Sequence, residues 1–383
     1  MLVERWRQAM IIEKRLGGMF MLRCMYSGIS GMKVNQTKLD VIGNNIANVG
    51  TTAFKSSSAR FKDMLYQNSS DATAPTSVLG GTNAKQIGLG AQVSSINKVM
   101  GQGNALSTGR SLDVCIDGDG YLVVDKGDLN SGIGANQSTG APDTAASDAT
   151  GEISETLFTR DGNLTLDYQG NLLTADGHRI MGYYLTSATN SGGTASAKSL
   201  AYDSTNNVIN ASYVNADSKD LAVSDSTMRP LVIPDSVTIS GTPGAAGAVT
   251  QPVKSFEIGK DGIITAVLGD GKRAAIGQIA MASFKNPEGL TDLGGNMCIN
   301  SSNSGPIVYK TGKVAAGGSS STTTPTGNQG GFGSLIQGAL EGSNVDLTEQ
   351  FTDMITATRS FQAASKMITT GDEILQTITG LMR

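Results

Sequence analysis

The chain has 383 residues, which is enough for two or three domains and a sizeable core. Its 49 glycines and low content of aromatic (5%) and charged (16%) residues are typical of tight turns and small β-domains, and they disfavour a large enzyme core. The net charge of −4, without a basic stretch interleaved with aromatics, argues against nucleic-acid binding, and no apolar run reaches the ~20 residues of a membrane span.

The first segment, residues 1–20, is charged and lacks the apolar stretch of a secretory signal. The sequence pattern changes at Met21, where a helical apolar periodicity begins, shortly after Gly17 and Gly18. We therefore interpret 1–20 as a leader that the natural product lacks, with translation starting at Met19 or Met21.

A helix is predicted to follow, because apolar residues recur at alternating steps of three and four. A seven-residue apolar repeat makes a helix bury one seam against other helices. The candidate self-assembly positions on this helix are Leu22, Met25, Ile29, Met32, Leu39 and Ile46. Gly28, Gly31 and Gly43 each cost about 1 kcal/mol relative to alanine, so the helix should be marginal alone. Residues 21–55 are assigned to this helix and its turn.

The middle of the chain is predicted to be antiparallel β-structure, because short strand-like runs alternate with Asp-Gly turns. We expect residues 56–100 to form an extended linker and residues 101–185 plus 253–310 to form the main β-domain. A segment richer in Ser, Thr, Asn, Ala and Gly, 186–252, is expected to be a small inserted β-domain. The Gly- and Ser-rich segment 311–333 is predicted to be a flexible connector.

Residues 334–383 are predicted to form the C-terminal helix. Asn344 or Asp346 is a plausible N-cap, with Glu349 in capping-box register to Asp346. The candidate self-assembly positions here are Leu347, Phe351, Met354, Phe361, Ile368, Leu375 and Met382. The predicted fold is mainly β, with antiparallel β-domains inserted between paired, coiled-coil-like terminal helices. This arrangement favours a subunit that polymerises over an ordinary protein with amphipathic core helices.

The sequence offers no convincing catalytic or metal-binding constellation. His178 is the only histidine, and it lies in a turn of a chain without a Gly-x-Ser-x-Gly elbow. Asp117, Asp119 and Asp125 lack EF-hand spacing, so solvated turn carboxylates are the better interpretation. The cysteines share no ligand spacing and are interpreted as buried or semi-buried fillers; they are Cys24, Cys115 and Cys298. We expect no enzyme activity, no cofactor and no metal.

Several motifs resemble those of bacterial flagellar rod and hook proteins. Residues 25–32 and 39–55 resemble the family's N-terminal signature, and 102–121 resembles a motif of its main β-domain. Residues 343–347 and 359–373 resemble its C-terminal helix. The turn motif that carries the resemblance after the first helix consists of Asn44, Asn45, Asn48, Thr51, Phe54 and Lys55. Within it, Gly50 replaces a frequent Asn and Ala53 replaces a frequent Gly.

Within this family, residues 276–284, 286–290 and 294–296 resemble the returning β-segment of hook proteins, so a hook subunit is favoured over a distal rod subunit. The resemblance implies export by the flagellar type III apparatus and assembly outside the cell, beneath a cap, into a curved tube. Its implied partners are copies of itself, the distal rod, the hook cap, the hook–filament junction proteins and the export apparatus.

A different class also fits part of the sequence. The Asp-Gly turns alone would suit a calcium-binding surface adhesin, which predicts calcium-dependent melting. That alternative leaves the seven-residue repeats at both ends unexplained.

Overall fold

A computed structural model describes residues 2–77, 80–126, 132–135, 140–142, 156–187, 198–203, 208–218, 221–223, 227–240, 249–310 and 331–381, with only the backbone for 2–23. The chain divides into two compact units. Unit 1 comprises Met1–Gly50, Lys55–Val99 and Asn344–Arg383, and unit 2 comprises Thr51–Phe54 and Met100–Ser343. The predicted fold class is confirmed: terminal helices flank antiparallel β-structure.

Unit 1 contains both long helices, α1 (Leu2–Ala47) and α2 (Leu347–Gly380), which pack against each other. The backbone of α1 is helical from Leu2, so the change in apolar pattern at Met21 does not coincide with a helix boundary. α2 begins after Asp346, whose side-chain oxygen Oδ1 accepts a hydrogen bond from Thr348 N at 2.8 Å. Asp346 is therefore the N-cap of α2.

Unit 1 also contains four strands: β1 (Ser57–Asp63), β2 (Tyr66–Ser70), β3 (Lys85–Gly88) and β4 (Ala91–Lys98). β1 pairs antiparallel with β4, and β2 with β3. These strands occupy the segment predicted to be an extended linker. The pairing joins residues as far apart as Ser57 and Lys98, and such distant partners leave no hairpin signal in the local sequence.

Unit 2 contains the remaining strands. They are β5 (Ala105–Ser107), β6 (Val114–Asp117), β7 (Tyr121–Asp125), β8 (Ile133–Gly134), β9 (Leu157–Thr159), β10 (Leu164–Leu166), β11 (Leu172–Thr174), β12 (Arg179–Ser187), β13 (Leu200–Asp203), β14 (Val208–Ala211), β15 (Leu221–Val223), β16 (Thr227–Pro230), β17 (Ser236–Ser240), β18 (Val249–Ile258), β19 (Ile263–Leu268), β20 (Arg273–Ile279), β21 (Met281–Phe284), β22 (Thr291–Gly294), β23 (Met297–Ile299), β24 (Ile307–Tyr309), β25 (Ser334–Gln337) and β26 (Ala339–Glu341).

Among the described residues of unit 2, sixteen strands form one continuous sheet with the main order β17-β18-β19-β20-β12-β7-β9-β23-β22. Neighbouring strands along this order run antiparallel. The Asp-Gly turn at Asp261-Gly262 connects two such neighbours, β18 and β19, as its hairpin signal predicted.

The described part of residues 186–252, a segment predicted to be a separate inserted domain, shares a core with the main β-domain. Leu200, Leu231 and Val237 belong to the same buried cluster as Leu122 and Ile264. In addition, β15 and β16 pair with β12, and β17 pairs with β18. The described part of 186–252 is therefore built into unit 2, because its apolar side chains bury themselves against the main sheet.

The segment predicted to be the C-terminal helix begins instead with two strands. β25 pairs with β6, and β26 pairs with β5. Gly338 separates these strands with a φ of 77°, a left-handed conformation that glycine adopts readily and that a helix excludes. Of the predicted connector, 311–330 lies outside the described residues.

Candidate functional site

The inner face of α2 follows a regular spacing of three and four residues. Every member of this line is buried or half-buried, and we call it the α2 seam: Gln350, Met354, Ala357, Phe361, Ala364, Ile368, Gly371 and Leu375. One half of the seam is the predicted seven-residue apolar line. The other half consists of Gln350 and the small residues Ala357, Ala364 and Gly371, which allow a neighbouring helix to approach closely.

α1 runs antiparallel to the α2 seam. A Cβ atom added to Gly371 would lie 3.3 Å from Met25 Cγ, and one added to Gly28 would lie 3.3 Å from Ile368 Cγ1. Further along, a Cβ on Gly31 would contact Ala364 Cβ at 3.8 Å. Residue numbers thus rise along α1 as they fall along α2. Gly28, Gly31 and Gly371, which weaken each helix alone, are thus positions that let the two helices pack.

Two polar contacts fix the opposite end of the helix pair. Lys38 Nζ lies 3.2 Å from Asp353 Oδ1, and this partly exposed ion pair contributes at most about 1 kcal/mol. Asn45 Nδ2 donates to Gln350 Oε1 at 2.9 Å in a buried site. Because a buried amide without a partner costs about 1–3 kcal/mol, this contact specifies the register of the helix pair.

Asn45, a residue of the predicted turn motif, links three elements. Its Nδ2 also donates to Ser57 O at 2.8 Å, and its Oδ1 accepts from Ser57 N at 3.0 Å. The side chain thus joins α1 to the start of β1 and to α2. Its buried amide has partners for both donors and for its oxygen.

Other asparagines hold the ends of the helices. Asn48 Nδ2 donates to Asn44 O at 2.9 Å, closing the last turn of α1. Before α2, Asn344 Oδ1 accepts from Ser56 N at 2.7 Å, and its Nδ2 donates to Val99 O at 2.7 Å. Asn344 therefore ties the outer ends of β1 and β4 to the start of α2.

The turn after α1 is held within unit 2. Thr52 Oγ1 donates to Asp161 Oδ1 at 3.0 Å, and Asn296 Nδ2 donates to Thr52 O at 3.1 Å. Ala53 N donates to Glu341 O at 2.8 Å. Ala53 has a φ of 55°, in the left-handed region that favours glycine. Thr51, Phe54 and Lys55 are half-buried.

Glu341, at the end of β26, also forms a buried ion pair. Arg160 Nε donates to Glu341 Oε2 at 2.9 Å, and the two side chains are 8% and 0% exposed. The guanidinium also donates to Gly118 O and Gly120 O, and it lies 5.7 Å from the centre of the Tyr121 ring. Burial is the main cause that raises the pKa of Tyr121 to about 12.

The predicted self-assembly positions fall into two groups. Most are half-buried: Met25, Met32, Leu39, Ile46, Met354, Phe361, Ile368 and Leu375. Ile29, Leu347 and Phe351 are exposed. Further exposed apolar residues of α2 that the seven-residue count missed are Ile355, Met367, Ile374, Ile378 and Leu381. Met382 and the side chain of Leu22 lie outside the described residues.

The described residues that were considered for metal binding or cysteine chemistry do not form a site. Among the described residues, no group of three or more His, Cys, Asp and Glu side chains is placed to hold a metal ion. Cys115 is buried and Cys298 is half-buried, whereas Cys24 is exposed, contrary to the prediction that all three are buried or semi-buried. No helix in the described part of the chain combines the length and apolarity needed to cross a membrane.

These features define a mainly β structural protein whose two chain ends pair as long helices. The family "Flagella basal body rod protein" matches residues 25–55, and "Flagellar basal body rod FlgEFG protein C-terminal" matches residues 336–381. The flagellar basal-body rod protein FlgG of Bacillus subtilis is 37% identical over 366 residues, which cover 95% of this chain and 100% of the relative.

Hook proteins are similar as well. The flagellar hook protein FlgE of Treponema pallidum is 29% identical over 478 residues, covering 95% of this chain and 100% of the relative. A solved chain of Helicobacter pylori hook protein FlgE2 covers 62% of this chain at 10% identity, with a TM-score of 0.34 that is too low to carry an argument. The chain belongs to the family of flagellar basal-body rod and hook proteins.

The close approach of the helices predicts unequal effects of two Gly→Ala substitutions in α1. Gly43 faces open space, so Gly43→Ala should stabilise α1 by about 1 kcal/mol. Gly28→Ala gains the same helix propensity but must displace Ile368, so it should raise the thermal midpoint less. Thermal unfolding followed by circular dichroism measures both. An equal or larger gain for Gly28→Ala would contradict the packing described here.

The left-handed conformation of Ala53 predicts that Ala53→Gly is stabilising. Relief of about 1–2 kcal/mol of strain exceeds the entropic cost of an added glycine, so the free energy of unfolding measured in urea should rise by up to about 1 kcal/mol. Ala105→Gly in β5 is the matched control, and it should lower stability by about 0.5–1 kcal/mol. A loss of stability in both variants would exclude strain at Ala53.

The buried ion pair predicts a large effect of Glu341→Ala. Arg160 would keep a buried charge without its carboxylate, so stability should fall by about 3–5 kcal/mol in urea unfolding. The exposed pair of Glu257 and Arg273, 3.6 Å apart, provides the control, and Glu257→Ala should change stability by no more than about 1 kcal/mol. Similar effects of the two substitutions would show that the burial of Glu341 has no energetic consequence.

Proposed function

We propose that this protein is a structural subunit of the flagellar hook, which polymerises into a flexible tube that transmits torque from rod to filament. The observation that carries the proposal is a row of exposed apolar side chains on each flank of α2. On this proposal the protein has no catalytic function.

The two exposed rows lie on opposite flanks of α2. Relative to Gln350 in the seam, a rotation of 100° per residue places Phe351 about 100° and Ile355 about 140° to one side. Met367 and Ile374 then lie about 100° and 120° to the other side. Phe351 is 50% exposed and Ile374 is 52% exposed, so both rows hold large apolar side chains in contact with water.

Exposed apolar rows of this kind favour association, since burying each large side chain is worth about 1.5–3 kcal/mol. The two rows differ in position along α2 as well as in direction. A contact between the first row of one copy and the second row of another is heterologous, and repeated contacts of this type give open helical polymers. This geometry supports a polymer over a closed dimer.

On this proposal the partners are further copies of the chain, the distal rod, the hook cap, the hook–filament junction proteins and the type III export apparatus, and the mature location is outside the cell. The helix pair supports export in an unfolded form. Its seam contains Ala357, Ala364 and Gly371, which bury little apolar surface, so the pair should form fully only when neighbours cover the exposed rows.

The distal rod is the second candidate, because the rod relative of Bacillus subtilis is 37% identical along its whole length. Two observations favour the hook. The hook protein of Helicobacter mustelae is 39% identical over 164 residues, 43% of this chain. The segment that resembles the returning β-segment of hooks also forms β20 and β21 in the middle of unit 2.

A mixing experiment tests the polymer. Phe351→Ser and Ile374→Ser should each block the formation of long fibres by the concentrated full chain, as measured by sedimentation and electron microscopy. If the contacts are heterologous, mixing the two variants should give dimers, because each variant keeps the row that the other lacks. Gln362→Ser, at an exposed polar position of α2, should polymerise normally. Fibres formed by either apolar-row variant alone would contradict the proposal.

Immunogold labelling of purified hook–basal bodies then distinguishes hook from rod. A subunit of the hook should carry label along the curved segment between rod and filament. Label confined to the straight rod would establish the rod alternative, and its absence from both structures would refute both assignments.

A further inference from the structure

Unit 2 contains a polar cavity of about 220 Å³ that the proposed function does not use. Its lining residues are Lys260, Asp261, Gln278, Lys310, Phe332, Gly333 and Ser334. Gln278 and Lys310 are buried and form its inner wall, while Lys260 and Asp261 are exposed at its mouth. Since a water molecule occupies about 30 Å³ in the liquid, the space suits a molecule of several non-hydrogen atoms.

Lys310 is the unusual member of this lining. The residue is only 8% exposed, and its backbone N donates to Met281 O at 2.8 Å directly after β24. Its Nζ lies 4.0 Å from Met281 Sδ, a weak acceptor. Among the described residues, no carboxylate oxygen lies within ion-pairing distance of Nζ. The side chain thus places a cationic group in a buried site without a paired anion.

A buried ammonium without a counter-charge is unfavourable, and it either loses its proton or binds an anion. Burial lowers the pKa of Lys310, and the negative charge of Asp261 opposes this shift. The neighbouring Gln278 carries no charge, and its Nε2 donates to Asp261 O at 2.9 Å.

We propose that this cavity is a binding site for a small organic monocarboxylate, with Lys310 on the inner wall as the counter-charge. Three formal charges line the cavity: Lys260 and Lys310 are positive, and Asp261 is negative. Their sum of one positive charge matches one carboxylate. The Ser334 hydroxyl supplies a further hydrogen-bond donor, and Phe332 supplies an apolar surface for a short hydrocarbon part.

Thermal unfolding of the full chain tests this site with acetate as the probe. At constant ionic strength, replacing chloride with saturating acetate should raise the midpoint of the wild-type chain by about 2–4 °C. Lys310→Met and Lys310→Gln should abolish the shift. As a control, Lys285→Met removes an exposed lysine of unit 2, and this variant should still show the acetate-induced shift. Inorganic phosphate, a dianion near pH 8, should give a smaller shift than acetate.

The pH dependence of the acetate-induced midpoint shift provides an independent readout. A carboxylate needs the charged form of Lys310, so the acetate shift should fade as the pH rises from 7 towards 10. Without acetate, Lys310→Met should be more stable than the wild-type chain near pH 7. That difference should shrink towards pH 10, where the unfolded chain also begins to lose the lysine proton. The other two charged residues of the lining, Lys260 and Asp261, are present in all variants.

Two results would overturn the proposal. One is an acetate shift that survives both substitutions of Lys310, which would place the binding elsewhere. The other is a wild-type midpoint that does not respond to acetate at any pH between 7 and 10, which would show that Lys310 is buried without a ligand.

Discussion

The two ends of the chain must meet before the helix pair can form, and the rest of the structure depends on this closure. Asn45 and Gln350 are separated by 305 residues, and closing a flexible loop of that length costs about 5 kcal/mol. Unit 2 removes most of this cost once it is folded, because Ala53 N bonds to Glu341 O. Asn45 lies eight residues before Ala53, and Gln350 lies nine residues after Glu341. Folding of the β-unit therefore prepares the pairing of α1 with α2.

The residues at the α1–α2 contact determine how closely and in which register the two helices pack. Gly28 and Gly371 let the helix backbones approach, and Asn45 with Gln350 specifies the register. None of these four residues buries much apolar surface, so the hydrophobic contribution to the pair comes from the apolar half of the seam, such as Phe361 and Ile368. Other large apolar side chains, such as Phe351 and Ile374, lie outside the pair. A subunit built in this way has a defined helix arrangement and leaves much of its apolar surface for contacts with other chains.

Local sequence patterns predicted the helices and the hairpins, because each depends on neighbouring residues. The period of seven located Met354 and Ile368 on the inner face of α2. It missed the other half of the seam, since Ala364 and Gly371 carry no hydrophobic signal. The strands at 334–341 and the pairing of β1 with β4 depend on partners far along the chain, which a local pattern does not contain. The cavity at Lys310 is unpredictable for the same reason.

The place where the chain enters and leaves unit 2 determines how unit 2 carries tension that is applied along the two helices. Ala53 lies in the turn after α1 and is bonded to Glu341 at the end of β26, so tension applied along the two helices crosses from that turn to β26 at this point. It is carried by their hydrogen bond, which lies outside the sixteen-stranded sheet. The interior of the sheet thus lies off the direct path between the two points where the chain enters and leaves unit 2.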